Sequence, residues 1–118
     1  MGNARTLLLA AMLLSALLLG GCATSREARL GPELVGRSIR LVSAQGQASV
    51  LSFANDGTLT STFGQRSVRG RWFVAEGRLC FVWGDDFQEC WPYGVPFARG
   101  RTVSITSDRG NVVQATLL

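Results

Sequence analysis

From Arg37 onward the chain is cut every few residues by a turn signal, and this punctuation leaves no room for a sustained helical period. The cuts fall at Gly46, Asn55-Asp56-Gly57, Gly64-Gln65, Glu76-Gly77, Gly84-Asp85-Asp86 and Asp108–Asn111. Asn, Asp and Gly tolerate positive φ, which makes the Asn55–Gly57 stretch a strong hairpin signal. Between the cuts, side chains alternate with a period of two. Ile39 aligns with Leu41, Leu51 with Phe53, Leu59 with Phe63, and Val103 with Ile105. Val68, Gly70, Trp72 and Val74 share one face of a segment whose other face carries Arg69, Arg71 and Phe73. This predicts strands at 37–43, 48–53, 58–63, 67–75, 78–83, 88–92, 101–106 and 112–117. An all-β chain of about eight short antiparallel strands points to a small closed or nearly closed barrel, which removes exposed sheet edges. A two-sheet β-sandwich is the alternative. Short strands and large side chains (Phe53, Phe63, Trp72, Trp83) favour a barrel filled by its own residues over a ligand cup.

The leading segment has a different character. Arg5 and the amino terminus give a positive start, Thr6–Leu19 is uncharged, and Gly20 and Gly21 are small. That is the pattern of a secretory signal, too short for a permanent bilayer span of about 20 apolar residues. Leu19-Gly20-Gly21-Cys22 resembles the lipobox of bacterial lipoproteins. The resemblance implies a helical signal peptide over 1–21, cleavage before Cys22, and lipid on Cys22 as the first residue of the mature chain. Ala23, where Asp would signal inner-membrane retention in enterobacterial lipoproteins, points to the outer membrane. Two or three acyl chains hold a protein effectively permanently, since each buried methylene contributes about 0.8 kcal/mol. Residues 22–36 are expected to form the lipidated Cys and a tether, with a short helical turn at Pro32–Leu34. Residues 37–118 are expected to form the barrel domain.

With Cys22 assigned to lipid, Cys80 and Cys90 remain as a pair in an oxidising compartment. Folding the hairpin about Asp85 sets them directly opposite each other, where a disulfide can close. A zinc site needs four ligands, and two cysteines without histidine cannot supply them. The spacing is also wrong for a Cys-x-x-Cys redox pair.

The stretch from Asn55 to Trp91 resembles an uncharacterised family of small exported proteobacterial β-rich domains. Asp56-Gly57-Thr58, Gly70 with Trp72, Leu79-Cys80 and Cys90 carry the likeness. It implies a β-rich fold with the same disulfide and assigns no activity.

All 12 basic residues are Arg, and neither Lys nor His occurs. Schiff-base and phosphate-loop lysines are thereby excluded, as are the usual general base and the commonest metal ligand. No G-x-S-x-G elbow is present. The expected protein is not an enzyme and uses no cofactor or metal. A net charge of +4 without a clustered stripe does not suggest nucleic acid. Asp85, Asp86 and Glu89 lack the spacing of a calcium loop and read as a solvated hairpin tip. Arg66, Arg69 and Arg71 form the densest basic patch, and Arg69 and Arg71 are candidate partner contacts. The loop Trp91-Pro92-Tyr93-Gly94-Val95-Pro96-Phe97 is the stronger candidate, with Trp91, Tyr93 and Phe97 as its contact residues. The expectation is an envelope lipoprotein, facing the periplasm, that acts on a protein partner as an accessory or adaptor. An inhibitor of a lysozyme or protease, or a carrier of a small apolar ligand, are the alternatives. A flat aromatic patch at the loop would favour the adaptor, a projecting polar loop the inhibitor, and a large internal cavity the carrier.

Overall fold

The computed structural model describes residues 28–118; the expected signal peptide, Cys22 and the expected tether as far as Glu27 lie outside the described residues. Eight strands follow one another: β1 (Ser38–Ser43), β2 (Ala48–Phe53), β3 (Thr58–Phe63), β4 (Arg66–Ala75), β5 (Arg78–Trp83), β6 (Phe87–Pro92), β7 (Thr102–Thr106) and β8 (Val112–Leu117). They form one antiparallel sheet in the order β6-β5-β4-β3-β2-β1-β8-β7. The meander runs from β1 to β6, and β8 then returns to pair with β1. That single long-range pairing curls the sheet into a nearly closed barrel rather than a sandwich. The two ends of the sheet, β6 and β7, meet at a seam.

Every inward residue obeys one parity along its strand. Ile39, Leu51, Phe53, Leu59, Trp72, Val74, Leu79, Phe81, Trp91, Ile105, Ala115 and Leu117 fill the interior and are all buried. Phe53 meets Trp72 edge-on at 5.1 Å between centroids, and Phe81 meets Trp91 edge-on at 4.7 Å. Such edge-to-face pairs contribute beyond their buried area.

The four motif elements form one connected unit. Asp56 Oδ1 accepts the Thr58 N–H at 2.8 Å, and this bond is the main reason its carboxyl titrates below its ordinary value. Gly57 holds φ at 87°, which favours glycine. Its carbonyl accepts the Trp72 backbone N–H, and the Trp72 indole N–H bonds the Ala54 carbonyl at 3.0 Å. Gly70 permits close packing: a Cβ there would stand 2.6 Å from both the Trp83 ring and the Val82 carbonyl. Leu79 points inward and Cys80 outward, where it is bonded to Cys90 across the hairpin with 4.0 Å between Cα atoms.

The amino-terminal segment departs from expectation. Arg29 exchanges backbone bonds with Val74, taking the position β3 vacates, and Leu34 is fully buried in the core cluster. Two successive turns, with Leu34 N–H on the Gly31 carbonyl and Arg37 N–H on the Leu34 carbonyl, replace the expected helical turn. Residues 29–36, read from the sequence as tether, therefore close one end of the barrel. The physical reason is that a barrel needs its end covered, and Leu34 is the apolar group that chain order supplies there.

Candidate functional site

The seam between β6 and β7 is the one place where neighbouring strands make no ladder among the described residues. It closes at its upper part only. The Asp108 N–H bonds the Cys90 carbonyl, and the Cys90 N–H bonds Asp108 Oδ1, both at 2.9 Å. Glu89, pointing inward, accepts the Ser107 hydroxyl and the Asn111 amide on Oε2, each at 2.5 Å. Arg109 donates to the Gln88 carbonyl at 2.9 Å and lies over the Phe87 ring at 4.4 Å. Arg78 reaches Asp108 at 3.9 Å. These side chains substitute for a ladder beside the disulfide hairpin, whose cysteines are buried.

Below Cys90 the seam opens, and the chain chemistry explains why. The next residue able to continue the ladder toward β7 is Pro92, which has no N–H to donate. Two alternations further along stands Pro96, with the same defect. The loop 92–98 therefore splays from β7 and leaves a groove of about 470 Å³. Its walls are Pro92, Tyr93, Val95 and Phe97 on the loop side, and Val103 and Ile105 on β7.

The sequence-selected contact residues divide. Trp91 is 3% exposed and Tyr93 7% exposed, so both belong to the core, and of the two only Tyr93 also lines the groove. The reason is parity: Cys90 points outward, so residues 91 and 93 point in. Phe97 is half-buried against both, with ring centroids 6.4 Å from Trp91 and 5.5 Å from Tyr93, and it lines the groove. The flat aromatic patch that would favour the adaptor is thus absent, and a concave groove stands in its place. Arg69 and Arg71 are exposed on the outer face of β4 and do not line the groove. Arg101 does line it, and Arg99 stands two residues away; alternation alone does not single out either one.

The opposite end of the barrel carries the hairpin tips between β1 and β2, β3 and β4, β5 and β6, and β7 and β8. There Phe63, Val68, Trp83 and Phe87 surround a shallow depression of about 390 Å³. Phe87 is 42% exposed. Asp85 and Asp86 are exposed at their tip, while Glu89 is turned into the barrel, so the three carboxylates do not converge. No cluster of metal-ligating side chains occurs among the described residues.

Tyr93 ties the loop to the barrel end. Its hydroxyl donates to Glu33 Oε1 at 2.5 Å, and its N–H bonds the Gly77 carbonyl. Burial raises the phenol's pKa strongly, the hydrogen bond to Glu33 and that carboxylate's charge raise it further, and Arg29 opposes them. The folded state therefore holds its proton above the unfolded phenol's pKa of about 10. Stability from this group is complete below that value and falls as pH climbs beyond it, because the unfolded chain releases the proton first. Tyr93→Phe is expected to flatten the alkaline limb of a stability–pH curve measured by urea unfolding. An unchanged limb would show that the phenol is not its source.

No family model, no curated protein and no solved structure matches this chain.

Proposed function

We propose that the chain is a lipid-anchored cell-envelope protein, held at the outer membrane through Cys22 and facing the periplasm, which acts by binding another protein. The carrying observation is the open lower seam: a groove on the side of the barrel, walled by a Pro/Gly loop. The anchor part of this reading is supported by Leu19-Gly20-Gly21-Cys22 and by the paired Cys80 and Cys90. The amino-terminal segment packs on the closed end, so the tether leaves from there and the hairpin tips point away from the membrane. The six residues from Cys22 to Glu27 reach about 20 Å when extended. The loop at the groove carries Tyr93, Val95, Pro96 and Phe97 rather than the polar groups an inhibitory loop calls for, which speaks against the inhibitor. Trp72, Phe53, Phe81 and Trp91 pack the interior toward the closed end, and the space left at the hairpin-tip end is divided among open depressions of about 200, 390 and 360 Å³, which fits a carrier poorly. With neither His nor Lys, the reading calls for no catalysis.

A photo-crosslinking side chain placed at Val95, which is 81% exposed, is the direct test in the native envelope. It is expected to join a discrete protein, whereas the same group at Gln114 on the outer face of β8 joins none. Equal background at both positions would remove the adaptor reading. Cys22→Ser is expected to move the chain from the membrane fraction to the soluble one; retention would remove the anchor.

A further inference from the structure

We propose that β7 accepts a ninth strand: an extended segment of a partner protein that carries an acidic side chain and hydrogen-bonds along Thr102–Thr106. This deepens the protein-contact reading and rests on it. The direction of the β7 backbone groups follows from the turn that ends the strand. Ser107 N–H bonds the Asn111 carbonyl, so odd-numbered residues of β7 face β8 and even-numbered ones face the seam. The Asp108 N–H confirms the parity, since it reaches across to Cys90. Thr102, Ser104 and Thr106 consequently turn their N–H and C=O groups into the groove. In a continued ladder Thr106 would face Pro92 and Thr102 would face Pro96, and neither can donate. The chain has placed its own prolines where self-closure would occur, and so keeps this edge open. An exposed strand edge is a template for another strand.

Three features select the occupant. The edge from Thr102 to Thr106 spans about 13 Å, enough for a segment of about five residues. Loop residues Pro92 to Ala98 line the groove opposite β7, so it is walled on both sides and suits a single extended segment rather than the edge of a second copy's sheet. Among the described residues, Arg101 is the only charged side chain lining the groove, Arg99 stands beside it, and no carboxylate lines it. Electrostatic complementarity therefore asks for an acidic residue at the Arg101 end. Inward positions of the added strand would face Val103 and Ile105, which asks for apolar residues in alternation.

The test uses the full chain with a probe joined to Leu118 by a short Gly/Ser linker, so that binding is intramolecular and weak affinity is still detected. The probe is Glu-Val-Thr-Val-Thr-Val-Glu, and its counterpart has Arg at both ends. Hydrogen exchange is read at single amides. The Glu probe is expected to slow exchange at Ser104 and Thr106 by about tenfold or more, and the Arg probe to do so less. Val103 and Ile105, already bonded to β8, are expected to change little. Ser104→Pro removes an edge donor without touching the β8 ladder, and is expected to abolish the protection at Thr106. No slowing at Ser104 and Thr106, or equal slowing at Val103 and Ile105, would overturn the proposal. The crosslink at Val95 separates the two readings. If it survives Ser104→Pro, strand addition falls and the protein contact stands; if it is absent in the unaltered chain, both fall.

Discussion

Trp72→Ala is expected to cost about 3–5 kcal/mol, the range for emptying a large buried aromatic site. Domains of this size hold only about 5–15 kcal/mol in total. The variant should therefore show a thermal midpoint lowered by well over ten degrees, or no cooperative transition at all. The reason is that the Trp72 side chain does two jobs at one place. Its ring, 2% exposed, meets Phe53 edge-on in the core. Its indole N–H bonds the Ala54 carbonyl, so it also fixes the turn between β2 and β3, beside a backbone bond to Gly57 that the substitution keeps. Leu30, from the segment covering the barrel end, packs beside that turn at Gly57. Trp72→Phe keeps most of the apolar volume and removes the indole donor. It is expected to cost about 1–2 kcal/mol, since the Ala54 carbonyl loses its partner. Circular dichroism melts of the two variants check the order. A Trp72→Ala chain as stable as the parent would mean that the core is organised differently.

Most of the strand pattern is local chemistry, which is why it can be read in advance. Each of the eight strands begins and ends within one residue of the bounds that turn residues and alternation predict. The disulfide is legible for the same reason: a hairpin folded about Asp85 leaves Cys80 and Cys90 no other arrangement. What escapes is non-local. Pairing of β1 with β8 spans most of the domain and carries no signal in either strand alone. Leu34 sits in a polar stretch without a period, so nothing in its neighbourhood marks it as core. The sidedness of Trp91 and Tyr93 is half legible. Their parity relative to Cys90 is plain, but which face is concave depends on how the barrel curls. The groove is harder still. Pro92 and Pro96 read as loop punctuation until β7 is known to lie alongside, and only then do they become two missing donors at a seam.

Removing the disulfide, by the double replacement Cys80→Ala with Cys90→Ala or by reduction, is expected to cost roughly 2–3 kcal/mol from loop-closure entropy over ten positions. At about 4–8 °C per kcal/mol for a domain of this length, the midpoint should fall by roughly 10–20 °C. The loss should not be uniform. Cys90 is also the residue through which β6 meets β7, with both its N–H and its carbonyl engaged by Asp108. The cross-link pins Cys90 to Cys80 in β5, and β5 is tied in turn to β4 through the facing pair Phe73 and Cys80. Without it, the hairpin can shift its register, and the seam contacts of Glu89, Asp108 and Arg109 lose their fixed counterpart. Amides at Cys90 and Asp108 should therefore exchange faster by a larger factor than amides of β2 and β3, which lie on the far side of the sheet. A melt lowered by the expected amount with uniform acceleration would leave the disulfide as a staple of one hairpin only. Preferential opening at Cys90 and Asp108 would make it the element that holds the barrel shut. A melt unchanged by reduction would remove both roles.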